Sequence, residues 1–193
     1  MPPRFDDRSV QRLRGILARR PAIEIHAPQY RRACVLIPLI RDGEGWVLLF
    51  SRRSDQLQAH SGQIAFPGGA VEPEESLEDA AVREAQEEVG IPTERVELIG
   101  RMDDLVTNSG FLVAPFVGVI HERVDYILQE GEVEEVFEVP VDALLDPGQP
   151  EVRFVSFRGG SYPAYFYPYQ KYEIWGLTGR VLKGFLDVVW TAI

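Results

Sequence analysis

Residues 69–91 read GAVEPEESLEDAAVREAQEEVGI, and three acidic residues near the end of this stretch share one face of a predicted helix. Glu84, Glu87 and Glu88 stand at positions i, i+3 and i+4, which at about 100° per residue fall within an arc of roughly 100°. Like charges at these spacings repel one another and weaken a helix. A bound cation would turn that repulsion into attraction, and oxygen ligands without a nearby His or Cys suit Mg²⁺ or Mn²⁺ better than Zn²⁺. The three carboxylates are therefore predicted metal ligands.

The ends of this helix are marked by residues with known capping preferences. Ser76 followed three positions later by Asp79 resembles a capping box, with Ser76 as the N-cap. Gly90 can end the helix in a left-handed conformation, and Pro92 prevents its continuation. The helix is therefore predicted to cover residues 77–89.

Residues just outside the carboxylate cluster can support it. Glu75 lies on the loop before the helix, from where it can reach the metal site or Arg83. Arg83 itself can orient a carboxylate or hold Glu75, and an i,i+4 ion pair with Asp79 is an equal alternative. Gly68 and Gly69 lack side chains and would let the backbone approach a bulky anion closely.

The spacing of these residues resembles the Nudix box, the signature of hydrolases that act on nucleoside diphosphates linked to another moiety. A solvated acidic helix would explain single ion pairs but not the whole spacing. The resemblance implies an α/β fold, a mixed sheet in an α/β/α sandwich, with Mg²⁺ or Mn²⁺ as cofactor. It also implies metal ligands at Glu84, Glu87, Glu88 and Glu75, and a catalytic role for Arg83 beside the first three. The matching positions are Gly69, Glu75, Arg83, Glu84, Glu87, Glu88 and Gly90.

A second motif lies immediately upstream and resembles that of the coenzyme A pyrophosphatases, a Nudix subfamily that cuts coenzyme A into 3′,5′-ADP and 4′-phosphopantetheine. One position departs from the subfamily pattern, because Gln58 stands where an Arg is usual. The missing charge affects the expected recognition of phosphate, not the hydrolysis. The match covers Leu49, Arg53, Ser54, Gly62 and Phe66 to Gly69, and the substrate-binding candidates within this region are Arg52, Arg53, His60, Gly68 and Gly69.

Many Nudix enzymes add one further carboxylate from a distant loop, as a metal ligand or as a base. Glu132 is the candidate here, because it matches the late Glu-Val pair of the subfamily. A solvated charge in an acidic run is an equal alternative for this residue. Glu134 and Glu135 are weaker candidates for the same role.

The rest of the chain reads as one domain, residues 1–193, in which 1–30 form an N-terminal helix and lead-in and 69–91 form the Nudix box. Apolar residues at helical spacing predict a first helix near 9–17 and a last helix near 175–190. For the aromatic residues near 162–172, core packing or a dimer contact is favoured over a pantetheine or adenine site. The predicted strands are 33–40, 46–51, 64–66, 95–101, 111–121, 135–139, 152–157 and 164–167, with a short helical turn over 141–145.

Composition and charge limit the partners. The chain has 193 residues, is 45% hydrophobic and carries a net charge of −10. Eleven arginines against five acidic residues in the first 53 positions make that part basic, but the acidic whole and the lack of interleaved aromatic residues argue against a nucleic-acid partner. No apolar run approaches the roughly 18 residues of a membrane span, and no secretory signal is evident. A cytoplasmic enzyme with a small-molecule substrate is expected, and the sequence leaves a homodimer open.

Three functions remain at this stage. The first is hydrolysis of coenzyme A or of its acyl or oxidised forms. The second is hydrolysis of another Nudix substrate, such as ADP-ribose or a dinucleoside polyphosphate, an alternative that Gln58 supports. The third is a non-catalytic Nudix-fold sensor, which would be expected to have lost the carboxylates of the box.

Overall fold

The computed structural model describes residues 4–43, 45–55, 62–146, 148–157 and 159–193. Its helices are α1 (Asp7–Arg19), α2 (Leu77–Val89), α3 (Val141–Leu144) and α4 (Gly176–Val189), with a short 3₁₀ turn at Thr93–Arg95. Its strands are β1 (Arg31–Asp42), β2 (Gly45–Arg53), β3 (Ile64–Ala65), β4 (Gly68–Ala70), β5 (Glu97–Arg101), β6 (Leu105–Val106), β7 (Phe111–Ile120), β8 (Val133–Pro140), β9 (Glu151–Phe157), β10 (Gly160–Tyr169) and β11 (Tyr172–Ile174).

The main sheet is mixed, and its centre opens to admit a short connecting segment. Strands β1 and β7 run parallel, whereas β1 and β2 form an antiparallel hairpin that pairs at its closed end, Leu39–Asp42 with Gly45–Leu48. Away from that end, β4 pairs with β1 and β3 pairs with β2. The chain over residues 64–70 therefore lies between the two diverging strands. Strand β8 covers the other edge of β2.

The sheet is covered on both faces, because successive residues of a strand point to opposite sides. On β1, Ile37 and Leu39 belong to a buried cluster with residues of α1 and α4. Cys34 and Leu36 belong instead to a cluster with the alanines of α2. The α/β/α sandwich predicted from the sequence is thus confirmed, with α2 alone on its face of the sheet among the longer helices described.

The two outer helices follow the predicted periodicity. In α1 the buried residues are Ser9, Val10, Leu13 and Leu17, and Asp6 caps the helix by accepting a hydrogen bond from the Ser9 N–H. In α4 the buried residues include Val181, Leu182, Phe185 and Val189, and Leu177 packs against the same cluster while partly exposed. No helix in the described part of the chain is long and apolar enough to cross a membrane.

A second, three-stranded sheet made of β9, β10 and β11 stands apart from the main one, and the sequence did not predict that separation. Tyr167 is fully buried in the core, and the Tyr172 ring stacks on Phe137 with ring centroids 3.6 Å apart. Tyr162, by contrast, is 54% exposed. Core packing thus accounts for Tyr167, whereas Tyr172 is only partly buried.

Candidate active site

Helix α2 begins and ends as predicted. The Ser76 hydroxyl oxygen accepts a hydrogen bond from the Asp79 N–H at 3.0 Å, and the hydroxyl donates to the Asp79 carboxylate at 2.7 Å. At the other end Gly90 adopts φ 76° and ψ 18°, a left-handed conformation that suits glycine. Because Asp79 is engaged in the cap and Arg83 is engaged elsewhere, the predicted alternative of an Asp79–Arg83 ion pair is wrong.

Arg83 instead joins the acidic residues of the site. Its Nε and one terminal nitrogen donate to the two oxygens of Glu75, at 2.7 Å and 3.0 Å. Its other terminal nitrogen donates to Glu84 and to Glu87, each at 2.9 Å. These contacts hold the pKa of Glu75 below its usual range. One guanidinium therefore fixes the loop carboxylate and two helix carboxylates relative to one another.

The Glu84 carboxylate lies against strand β4, at Gly69. A Cβ atom added to Gly69 would lie 2.5 Å from the Glu84 carboxylate carbon, closer than real Cβ contacts. Burial raises the pKa of Glu84, and the hydrogen bond from Arg83 opposes that rise. The space left by the missing side chain of Gly69 is thus filled by a carboxylate, while the role of this glycine towards a substrate anion stays a prediction.

Glu88 is the most deeply buried acid of the group. Its side chain is 4% exposed, its Oε2 accepts a hydrogen bond from the Gly68 N–H at 3.2 Å, and its Oε1 lies 3.6 Å from an Arg53 nitrogen. Burial raises the pKa of Glu88 to about 7, although Gly68 and Arg53 act in the opposite direction. Neither contact follows from the spacing of the motifs, because both join residues distant in the chain.

Glu132 lies at a turn that is attached to the end of α2. The Gln129 N–H donates to the carbonyl of Glu88 at 3.0 Å, and the Glu132 N–H donates to the carbonyl of Gln129 at 3.2 Å. The negative charge of Glu132 contributes to the raised pKa of both Glu84 and Glu88. The structure thus brings this candidate within electrostatic reach of the carboxylate cluster.

The two weaker acidic candidates have other partners. Glu134 forms an ion pair with Arg52. Glu135 accepts hydrogen bonds from Lys171 and from the Tyr172 hydroxyl, each at 3.0 Å.

The two neighbouring arginines of the upstream motif, Arg52 and Arg53, have different partners. Arg53 faces Glu88, whereas Arg52 pairs with Glu134 and with Asp55, the latter at 3.0 Å. Residues Gln58 and His60 lie outside the described part of the chain. Of the substrate-binding candidates, Arg53, Gly68 and Gly69 thus adjoin the box carboxylates and Arg52 does not.

The carboxylates of the cluster suit a divalent metal ion chemically, although their side chains are not arranged to coordinate one in this structure. Within the described ranges no group of three or more His, Cys, Asp or Glu side chains is placed to hold a metal ion. The reason is visible in the contacts, because Arg83 holds Glu84 and Glu87 while Gly68 and Arg53 hold Glu88. All candidate ligands are carboxylates, which are the hard oxygen donors that Mg²⁺ and Mn²⁺ prefer.

Sequence comparisons place the whole arrangement in a known family. A family model described as "NUDIX domain" matches residues 30–158. A protein of Citrobacter koseri named "Uncharacterized Nudix hydrolase NudL" is 41% identical over 165 residues, which cover 85% of each chain. A protein of the same name from Photorhabdus laumondii is 40% identical over 153 residues, which cover 79% of this chain and 81% of the relative.

Comparison of structures agrees at the level of the fold. The crystal structure of the Nudix hydrolase RenU from M. smegmatis has a TM-score of 0.52 and 23% identity, covering 61% of this chain and 74% of that one. A MutT/nudix family protein from Enterococcus faecalis has a TM-score of 0.52 and 18% identity, covering 89% of this chain and 66% of that one. With the Glu84–Glu87–Glu88 cluster on α2 and a family match over residues 30–158, the chain belongs to the Nudix hydrolases.

Proposed function

We propose that the protein hydrolyses the diphosphate linkage of coenzyme A or its derivatives, giving 3′,5′-ADP and 4′-phosphopantetheine or its acyl form. The observation that carries the proposal is the contact between the two sequence motifs. Arg53 and Gly68 of the upstream motif both touch Glu88 of the Nudix box. Two residues of the motif that resembles the coenzyme A subfamily thus adjoin the carboxylate site, which supports a link between that motif and the reaction.

The acidic residues have two roles in the proposed reaction, metal binding and proton transfer. Glu84, Glu87 and Glu88 would hold Mg²⁺ or Mn²⁺, with Glu75 as an additional candidate ligand. When bound, such ions neutralise phosphate oxygens and lower the pKa of a coordinated water. Glu132, which lies at a turn on the end of α2, would accept the proton of the attacking water or serve as a further ligand.

Arg83 holds three of these carboxylates together, and strand β4, which contains Gly68 and Gly69, borders the Glu84 side chain. By bonding Glu75, Glu84 and Glu87 together, Arg83 keeps three flexible side chains in one arrangement before substrate arrives. Gly69 leaves room for the Glu84 carboxylate next to strand β4. Binding of a divalent ion would require Glu84 and Glu87 to loosen their bonds to Arg83, since that guanidinium holds both side chains.

The second candidate is hydrolysis of ADP-ribose or a dinucleoside polyphosphate. The observation that favours it is Gln58, which replaces the usual Arg of the coenzyme A motif and removes one positive charge. A site with weaker phosphate recognition would accept diphosphates that lack the 3′-phosphate of coenzyme A.

A substrate panel with Mg²⁺ or Mn²⁺ separates these candidates. We expect kcat/KM to be higher for coenzyme A than for dephospho-coenzyme A, and higher than for ADP-ribose or diadenosine polyphosphates. Equal rates with and without the 3′-phosphate would contradict coenzyme A as the intended substrate and favour the second candidate. The Glu88→Gln variant is the control for contaminating hydrolases, and absence of turnover with every compound would indicate a sensor.

Restoring the missing charge tests the role of residue 58. Gln58→Arg should lower KM for coenzyme A about two- to tenfold, because a charge-assisted hydrogen bond contributes roughly 1.5–3 kcal/mol before solvent screening reduces it. The effect should shrink as salt rises and should be smaller for ADP-ribose. A rise in KM would mean that the pocket is built around the neutral side chain and that coenzyme A is not the natural substrate.

A further inference from the structure

The Glu88 carboxylate has two contacts of different strength. Its Oε2 accepts an ordinary hydrogen bond from the Gly68 N–H at 3.2 Å. Its Oε1 lies 3.6 Å from the Arg53 nitrogen, which is longer than a normal hydrogen bond. Arg53 therefore acts on this carboxylate through its charge. A carboxylate that is 4% exposed needs such a counter-charge, since burying an unpaired charge is costly.

The backbone of Arg53 is fixed by two hydrogen bonds, whereas its side-chain Nε has none. The Arg53 N–H donates to the Gln63 carbonyl at 3.0 Å, and the Arg53 carbonyl accepts from the Gly62 N–H at 3.1 Å. These two bonds set the position of the residue at the end of β2. Its side-chain Nε, however, is buried and has no hydrogen-bond partner. The guanidinium is thus close to Glu88 without a two-point bond that would lock it there.

Among the described residues near Glu88, Arg53 is the one placed to supply its counter-charge. Arg83 is already bonded to Glu75, Glu84 and Glu87. Glu84 and Glu132 act on Glu88 with the same sign of charge and oppose its ionised form. Arg53 is the cation that the described residues place against Glu88. A divalent ion bound to the same carboxylate would have Arg53 as a cationic neighbour.

We infer that Arg53 is the built-in counter-ion of Glu88, a positioning residue that a divalent metal ion must displace, and not the reader of the substrate's 3′-phosphate. The inference rests on the proposed metal-dependent function. In the metal-free protein Arg53 keeps the buried carboxylate compensated and aligned. During metal binding the two cations compete for one carboxylate, so the arginine weakens the metal affinity.

Mn²⁺ binding to the metal-free protein tests this competition. It is measured at about pH 8.5, where ordinary carboxylates are ionised, from the electron paramagnetic resonance signal of free Mn²⁺. Arg53→Gln should bind Mn²⁺ about three- to tenfold more tightly than the wild type, a range between the effects of exposed and buried ion pairs. General damage to the site would lower the affinity instead, so the direction of the change is diagnostic.

Arg52→Gln is the matched control, because it removes the same charge from the adjacent residue but Arg52 pairs with Asp55 and Glu134. It should change the affinity by less than about twofold, as expected for a screened distant charge. Arg53→Lys keeps a charge on a different stem and should give an intermediate affinity. It also keeps the test valid if Arg53→Gln does not fold. With either Arg53 variant, the preference for coenzyme A over dephospho-coenzyme A should be unchanged.

Three results would overturn the inference. Unchanged or weaker Mn²⁺ binding in Arg53→Gln, while Glu88→Gln abolishes binding, rejects the competition alone and leaves the metal site intact. Loss of the preference for coenzyme A in Arg53→Lys assigns the residue to the 3′-phosphate. Equal Mn²⁺ binding by the wild type and Glu88→Gln rejects both the inference and the proposed metal site.

Discussion

Glu88 is buried, yet it must be negatively charged to act as the proposed metal ligand. Its surroundings offset the cost of burying that charge only in part. The Gly68 N–H and Arg53 favour the ionised carboxylate, but burial outweighs them and raises the pKa to about 7. An ordinary Glu has a pKa near 4.5. Near pH 7 about half of the metal-free molecules therefore carry a proton on Glu88, and above that pH the ionised carboxylate faces Arg53.

The raised pKa gives a stability difference with a defined sign. Between about pH 4.5 and 7 the folded state binds the Glu88 proton more strongly than the unfolded state, so this contribution to stability is lost as pH rises through that window. For the metal-free protein, the free energy of unfolding of the wild type relative to Glu88→Gln should fall by about 3 kcal/mol between pH 4 and pH 8. Denaturant unfolding with a chelator present measures it, and a pH-independent difference would contradict the raised pKa.

Glu88 and Glu84 should each be needed for a normal kcat. Glu84→Gln and Glu88→Gln should each lower kcat at least about a hundredfold, equivalent to roughly 2.7 kcal/mol in barrier. Neither variant should unfold the protein, because each removes a charge from a cluster of repelling carboxylates. Steady-state kinetics with a thermal unfolding curve for each variant would check both statements, and near-normal turnover in either would place the metal site elsewhere.

At the scale of elements, strand β4 lies so close to both strand β1 and helix α2 that its two adjacent glycines meet different constraints. A Cβ at Gly68 would lie 2.3 Å from the backbone oxygen of Cys34 on β1, and one at Gly69 would lie 2.5 Å from the flexible carboxylate of Glu84. The first contact involves the pairing of strands, whereas the second involves a side chain that can move. Neither glycine has a positive φ angle, so the requirement comes from space and not from backbone conformation.

Two alanine substitutions should therefore separate folding from catalysis. Gly68→Ala should destabilise the protein by about 2 kcal/mol or more, because the backbones of β1 and β4 must move apart. Gly69→Ala should cost less stability but lower kcat about tenfold or more, since small displacements of a catalytic group are expensive. Thermal unfolding and kcat for both variants give the comparison. Equal losses of stability would mean that Glu84 cannot move aside.

At the scale of the whole molecule, Cys34 shows how close the core lies to the active site, because it pairs with Gly69 of β4 and belongs to the buried cluster beneath α2. Burial raises its pKa to about 12, and the residue is fully inaccessible. The native thiol should react with a disulfide reagent at pH 8 at least about a thousandfold more slowly than the unfolded protein, because the thiolate is the reactive form. Rapid reaction of the native protein would show that the β1–β4 region opens readily.

The sequence predicted what depends on local pattern and failed on what depends on distant contacts. The limits of α2 and its two caps were correct because capping residues act within a few positions. The separation of β9–β11 from the main sheet was missed because alternation identifies strands and not the sheet that they join. For Arg83 the sequence left a contact with Glu75 and an ion pair with Asp79 as equal alternatives, and the loop brings Glu75 closer. The contact of Arg53 with Glu88 spans two elements that no spacing rule connects.

The two backbone hydrogen bonds that join Arg53 to Gly62 and Gln63 have a consequence for how such enzymes diversify. They close the chain at the base of the segment that begins at Ser54, so insertions or exchanges within 54–61 start and finish at the same pair of peptide groups. The cost of lengthening a closed loop grows only slowly with its length. We therefore expect an exchange of residues 54–61 between relatives, Gln58 included, to leave the carboxylate cluster on α2 in place, and a substrate panel on such a chimera measures whether this stretch sets the choice of substrate.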